Sequence, residues 1–323
     1  MPGTLIVSLD FELFWGMLDV CPLEEYQEHV LGGKKAIPRL LGLFRKYGIH
    51  ATWATVGYLF AQNYEELQAF FPPEELRPAY TNENVNTYRA FSGIGSNETE
   101  APCFYAPGLI RQIAETPGQE IGSHTFSHYY CREDGQTPEQ FAADMAAAKA
   151  IAHAHGYELT SVVLPRNQCE PEYTRVLQQS GFTAYRDEEN DWIHSHLPYG
   201  LPLKILRTID MYFPITGQGG YTPQNEHGIW NLTGSRMFRP IRPNFSLEKW
   251  KIRRIKGQML HAAKNGLTFH LWWHPHNLGV QTEQHLQQLE EIFAYYEELK
   301  QVYGMRSLNM GEAARELSGK MGD

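Results

Sequence analysis

Hydrophobic positions along this chain follow two periods in turn. Residues 4–9 form a short apolar run with no helical period, the pattern of a parallel strand buried on both faces. Ile37, Leu40, Leu41 and Phe44 then recur at i, i+3, i+4 and i+7, predicting an amphipathic helix that Gly48 ends. Residues 50–56 are β-rich and read as a second strand. A short helix over 64–71 is broken by Pro72-Pro73. Residues 74–107 are polar and turn-rich, too long for a simple connection, and are expected to lie over one mouth of the fold.

The alternation then resumes, with a helix over 109–116 and a strand over 120–123. Thr137-Pro138-Glu139-Gln140 supplies an N-cap, a proline at the first helical position and a capping-box glutamine for a helix reaching His155. A strand over 161–164 and a helix over 171–180 follow, the latter closed by Gly181. Between residues 187 and 245 the pattern lapses into Pro, Gly, aromatics and histidine. Its apolar runs mark this second long insertion as ordered. Ser246 is the expected cap of a helix to about residue 265. A strand over 267–273, a long helix with Leu286, Leu289, Phe293 and Tyr296 on one face, a strand over 305–308 and a terminal helix complete the chain. Steady strand–helix alternation implies parallel strands with helices outside, in one domain over residues 1–323.

Composition narrows the class. Of 323 residues, 42% are hydrophobic and 20% charged, ordinary for a globular α/β protein. A net charge of −9 argues against a phosphate-tracking nucleic-acid binder. Cys21, Cys103, Cys131 and Cys169 are far apart with no C-x-x-C pair, which suggests neither a zinc knuckle nor a disulfide framework. The first apolar run meets Asp10 and Glu12 within a few residues and has no basic segment before it, so it reads as a strand and not a leader; no run is long enough to span a bilayer. The expected location is cytoplasmic. Oligomeric state is not legible.

The candidate chemistry lies at the strand ends. His124 and His128 are four apart, a spacing that puts both rings on one face of a helical turn, where their nitrogens can share an ion. A lone H-x-x-x-H is most often a pair of ordinary histidines. A catalytic ion also needs a third ligand, often a carboxylate, and the first strand runs into Asp10 and Glu12. Arg166 and the group His270, His274 and His276 also fall where strands end, which is where parallel α/β folds assemble their sites.

Leu9-Asp10-Phe11-Glu12, Ser123-His124-Thr125-Phe126-Ser127-His128, Leu164-Pro165-Arg166-Asn167-Gln168 and Leu271-Trp272-Trp273-His274-Pro275-His276, in that order, resemble the motifs of the polysaccharide deacetylase family, the NodB-homology carbohydrate esterases. The resemblance covers residues 4–180 and resumes near 267. Its second motif is the closest match. The first motif departs from the usual adjacent pair of aspartates, the third matches in part, and residues 187–245 have no clear counterpart. The resemblance implies a distorted, seven-stranded (β/α) barrel with both insertions at the active-site mouth. It implies one divalent metal ion, Zn²⁺ by preference, held by Glu12, His124 and His128. Asp10 would be the base, although it could instead bind the metal. Arg166 would hold the base, and His274 would be the general acid. Trp273, His276 and Asn277 would face the substrate.

The reaction so implied is hydrolysis of an amide: N-deacetylation of an N-acetylated amino sugar in a glycan or glycan precursor. A cyclic-amide or ureide hydrolase of the same superfamily and a non-catalytic glycan- or metal-binding relative are the alternatives. No Gly-x-Ser-x-Gly elbow is present, against a serine hydrolase. Gly217-Gln218-Gly219-Gly220 lacks the context of a nucleotide loop.

Overall fold

The computed structural model describes residues 2–91, 94–188, 201–241 and 247–319. Its centre is β1 (Thr4–Phe11), which pairs in parallel with β2 (Ala51–Thr55) on one side and β9 (Thr268–Trp273) on the other. From β2 the sheet continues through β3 (Gln119–Ser123), β4 (Ser161–Val163), β5 (Ala184–Arg186) and β7 (Ile229–Asn231). β6 (Gln224–Glu226) is an antiparallel hairpin partner of β7, and β10 (Arg306–Leu308) pairs with the first residues of β1. β8 (Arg236–Met237) returns beside β9.

Closure comes from the stretch with no clear motif counterpart. Leu232 N donates to Tyr185 O on β5, while Ser235 N donates to His270 O and Phe238 N to Trp272 O on β9. The run from β7 to β8 therefore acts as one bent strand that joins the two free edges, and with it seven strands surround the lumen among the described residues. The expected insertion over 187–245 is corrected accordingly: part of it is barrel wall. Short β segments interrupted by Gly228 and Gly234 carry too little alternation to reveal a strand. Residues 189–200 and 242–246, including the expected cap Ser246, lie outside the described residues.

The pleat sorts β1 into two populations. Leu5, Val7, Leu9 and Phe11 join the apolar shell between sheet and helices, with Leu40, Phe44 and Phe293 among others. Ile6 points the other way and meets Ala54, Val163, Ala184, Trp230 and Leu232 in the lumen, where Met310, Ala313 and Ala314 of the terminal helix Met310–Gly319 plug the N-terminal end. Ser8 and Asp10 share the parity of Ile6, so β1 aims its polar residues up the lumen toward the open end.

The helix Leu23–Tyr47 starts well before the periodic run that announces it. Its Gly32-Gly33 step is a packing requirement: a Cβ on Gly33 would lie 2.7 Å from His276 Cα, and one on Gly32 would lie 2.1 Å from Gly279 O. Lys34 is drawn in, donating to Glu98 and to the carbonyls of Pro102 and Tyr105. The described part of 74–107 includes short helical turns (Glu74–Leu76, Glu83–Val85 and Thr87–Ala90) and lies over the C-terminal ends of β1 and β3: Thr87 Oγ1 donates to Ser127 O, and Trp15 Nε1 to Phe104 O. Among the described residues no helix is long and apolar enough to cross a membrane, and all four cysteines are free thiols.

Candidate active site

β1 delivers two acids to the open end of the barrel. Asp10 lies within the strand and Glu12 follows its last residue, and both are buried. The chain then turns through Leu13 in the left-handed region (φ 50°), and Gly16 comes back against Glu12, where a Cβ would fall 2.2 Å from the carboxylate. Any other residue at position 16 would displace Glu12.

His124 and His128 follow β3, but not on a helical turn as their spacing suggests. Thr125 (φ 64°) and His128 (φ 58°) both adopt left-handed backbone conformations, so the segment doubles back as a tight loop. Neighbouring structure holds it in place. Gly57 N and Tyr58 N donate to the Thr125 and Phe126 carbonyls, and the buried Asp144 carboxylate accepts from Phe126 N (2.7 Å), from Ser127 N (3.2 Å) and from the Ser127 hydroxyl. Burial pushes the Asp144 carboxyl up to about 6 against those hydrogen bonds.

Glu12 Oε2 lies 3.2 Å from His124 Nε2 and 3.0 Å from His128 Nε2, with the three candidate ligand atoms within 4.8 Å of one another. His124 Nδ1 is 2.8 Å from Val163 O, a contact that requires the proton on Nδ1 and makes Nε2 the nitrogen of this ring that can ligate an ion. Burial pushes the His128 imidazole down, and its Nδ1 is buried without a partner among the described residues. Burial also works against an ionised Glu12, yet His274 and then His124 and His128 hold its carboxyl well below the usual range. One carboxylate and two imidazole nitrogens converging on one point are a donor set that fits a divalent cation such as Zn²⁺.

Beside this group Asp10 is clamped. Arg186 Nη1 donates to Asp10 Oδ1 and Nη2 to Oδ2, each at 2.8 Å, and Arg186 is fully buried. Burial opposes the charge on Asp10, but Arg186, with His274 and His124, prevails and lowers its pKa. Sequence reasoning gave the clamp to Arg166, and that assignment is corrected. Arg166 is half-exposed, pairs with Asp19 and Glu133, and lies over the Tyr130 ring at 4.5 Å. Arg166 and Asn167 both have positive φ (55° and 50°), which turns Arg166 to the rim and leaves Asn167 Oδ1 to accept from Arg186. The one signal for Arg186 was a cation at the end of an otherwise apolar strand, Ala184-Tyr185-Arg186.

His274 stands at the end of β9, its Nε2 3.6 Å from both Asp10 Oδ2 and Glu12 Oε1, partly open to solvent. The other late residues are corrected. Trp273 is fully buried on the helix side, against Phe44 and Phe238, because the β9 pleat that turns His270, Trp272 and His274 inward turns Trp273 outward. Trp272, not Trp273, reaches the lumen, with the Arg186 guanidinium 4.2 Å from its ring. His276 and Asn277 are buried in the turn that packs on the helix Leu23–Tyr47 and not at an open rim. The His276 ring stacks on His274 (5.0 Å, 18°), and burial pushes its pKa down to about 3.

A family model for polysaccharide deacetylases matches residues 19–185, just over half of the chain. The chain belongs to the polysaccharide deacetylase family. The protein is accordingly a hydrolase acting on carbon–nitrogen bonds other than peptide bonds. The matched stretch holds His124 and His128 and stops one residue before Arg186, so the fold, not the matched segment, unites the histidines with Asp10, Glu12 and His274. No curated protein matches the chain in sequence. Among solved structures, a protein classed with the polysaccharide deacetylases from Mycobacterium smegmatis superposes with a TM-score of 0.62 at 15% identity, over 99% of this chain and 92% of that one. The allantoinase PuuE gives 0.56 at 14% identity, over 97% and 88%. A 4-α-glucanotransferase from Thermococcus litoralis gives 0.55 at 12% identity, over 97% of this chain and 40% of that one. At these identities the superpositions establish the shared barrel and nothing about substrate.

Proposed function

We propose that this polysaccharide deacetylase family member is a divalent-metal-dependent N-deacetylase of an N-acetylated amino sugar, free or within a glycan or its precursor. The observation that carries this reading is the meeting of Glu12, His124 and His128 at one point with Asp10 and His274 beside them. Glu12, His124 and His128 would hold the ion, Zn²⁺ by preference, which when bound polarises the amide carbonyl and makes water acidic enough to attack near neutral pH. Asp10, kept ionised by Arg186, takes the proton of the attacking water. His274 gives a proton to the amide nitrogen as the C–N bond breaks, so acetate and a free amine leave. Its exposure gives it access to substrate that buried His276 and His270 lack. Trp272, with the Arg186 guanidinium 4.2 Å from its ring, walls the lumen beside the acyl group.

Metal analysis of the purified protein, followed by acetate release from a panel of N-acetylated sugars, tests the reading. Zinc-dependent acetate release abolished by Asp10→Asn is the expected result. Ring opening of cyclic amides without acetate release from any sugar would replace it with the ureide-type reading.

A further inference from the structure

Below Asp10 the lumen contains a second polar layer. Arg186 has five N–H donors, and each has a protein acceptor. Nη1 serves Asp10 Oδ1 and Ser8 Oγ (2.8 Å each), Nη2 serves Asp10 Oδ2 and Asn167 Oδ1 (2.8 and 2.9 Å), and Nε serves Asn167 Oδ1 (3.1 Å). Ser8 Oγ, while accepting from Arg186, lies 2.7 Å from His270 Nε2. His270 Nδ1 is 2.8 Å from Leu232 O, and its backbone N donates to Ser235 Oγ at 3.0 Å. Directions follow without ambiguity. The Leu232 carbonyl can only accept, so the His270 proton is on Nδ1, Nε2 is an acceptor, and the Ser8 hydroxyl proton points to it. That leaves the Ser8 lone pairs facing Arg186. Ser8, His270 and Arg186 are all fully buried, and the imidazole is kept neutral, its pKa pushed down to about 3 by burial and then by Arg186.

We infer that Ser8 and His270 are positioning residues that lock the plane of the Arg186 guanidinium, so that it presents Asp10 to the reacting water with Oδ2 turned toward His274. The bend over residues 232–235 that closes the barrel is the outer anchor of this relay, through Leu232 and Ser235. Without the Ser8 oxygen one guanidinium N–H loses its acceptor at a fully buried position, and the fork tilts toward its remaining acceptors. A tilted fork still pairs with Asp10 but carries the carboxylate away from its attack position. A misplacement of this kind costs rate without weakening substrate binding, on the order of tenfold to a hundredfold in kcat.

The inference rests on Asp10 as the base in the proposed deacetylation, so its test has one arm that needs no substrate. In the zinc-loaded full chain with ¹⁵N-labelled arginine, the Arg186 Nη–H signals, assigned by their loss in Arg186→Lys, should be resolved and slow to exchange. In Ser8→Ala they should average by rotation about the guanidinium bonds. In the kinetic arm Ser8→Ala should lower kcat tenfold to a hundredfold at unchanged KM and zinc content. His270→Phe should show a smaller loss of the same kind, and His270→Gln, which keeps an acceptor for the Ser8 proton, should recover it. The double variant Ser8→Ala/His270→Phe should match Ser8→Ala alone, because His270 acts through Ser8. An Arg186 that stays locked in Ser8→Ala, an unchanged kcat, or multiplying losses in the double variant would overturn the relay. Absence of acetate release by the parent protein would remove the deacetylase reading, while the Arg186 signals would still decide whether Ser8 and His270 lock the guanidinium.

Discussion

Arg186 grips Asp10 through both carboxylate oxygens at 2.8 Å, from a strand 176 residues further along the chain. Two full charges are taken out of water there, and the pair is viable because each partner satisfies the other and Ser8 and Asn167 take up the rest of the fork.

Removing one side of that pair should be costly. Arg186→Ala leaves a buried carboxylate with no cation and should lower stability by about 3–5 kcal/mol, read by urea unfolding. Arg166→Ala, at a half-exposed position among rim charges, should cost about 0–1 kcal/mol and leave acetate release nearly intact. Equal losses from both would return the clamp to Arg166.

Metal content should follow the three ligands. His124→Ala should abolish zinc retention as well as turnover, since loss of one of three ligands costs orders of magnitude in affinity. A chelator should reproduce the effect in the parent protein, and added Zn²⁺ should reverse it. Full zinc occupancy in His124→Ala, read by elemental analysis, would place the ion elsewhere.

His274→Ala should behave differently, losing roughly two to four orders of magnitude in kcat with zinc still bound. His276→Ala should be much milder in kcat, because its buried ring stacks on His274 and does not face the opening. The reverse ranking would move the acid two residues along.

Acid stability follows from the buried imidazoles. His270 and His276 are each pushed down to about 3 by burial, against about 6.5 in an unfolded chain. A depressed histidine favours the folded state fully above pH 6.5, where both states are neutral. Below that pH the unfolded chain takes up protons that the folded one refuses, and stability is lost as pH falls toward 3. Each should contribute a slope of about 1 kcal/mol per pH unit between pH 6 and 4. Asp144, raised to about 6, works the opposite way: its contribution is present below pH 4 and lost as pH rises to 6. Unfolding free energies of the parent and His276→Gln across pH 4–7.5 should diverge at the alkaline end and converge toward acid. Parallel curves would show that His276 is free to protonate in the fold.

The alternation of strands and helices and the family were legible because each rests on local signals (apolar period, caps, and motif spacing within a few residues), and the seven-stranded barrel followed from the family resemblance. The helix opened by Thr137-Pro138 runs Pro138–Ala154 as its cap predicts, with the Thr137 side chain accepting from Gln140 N. The barrel-closing run over 229–238 was not legible, because strands of two or three residues do not establish a period.

What the sequence determined by itself is which side chains stand at strand ends, since the pleat and the turn residues are properties of neighbouring positions. It placed Asp10, Glu12, His124, His128 and His274 there, and the β9 alternation already set Trp272 and Trp273 on opposite faces. Only the tertiary structure decided the partners. Whether Arg166 or Arg186 meets Asp10 depends on two left-handed residues, Arg166 and Asn167, that turn one side chain out to the rim, and on the closure of the barrel, which brings β5 across the lumen from β1. Pairing between charges so distant in sequence is fixed by where the closed sheet puts them, and no local pattern encodes that distance.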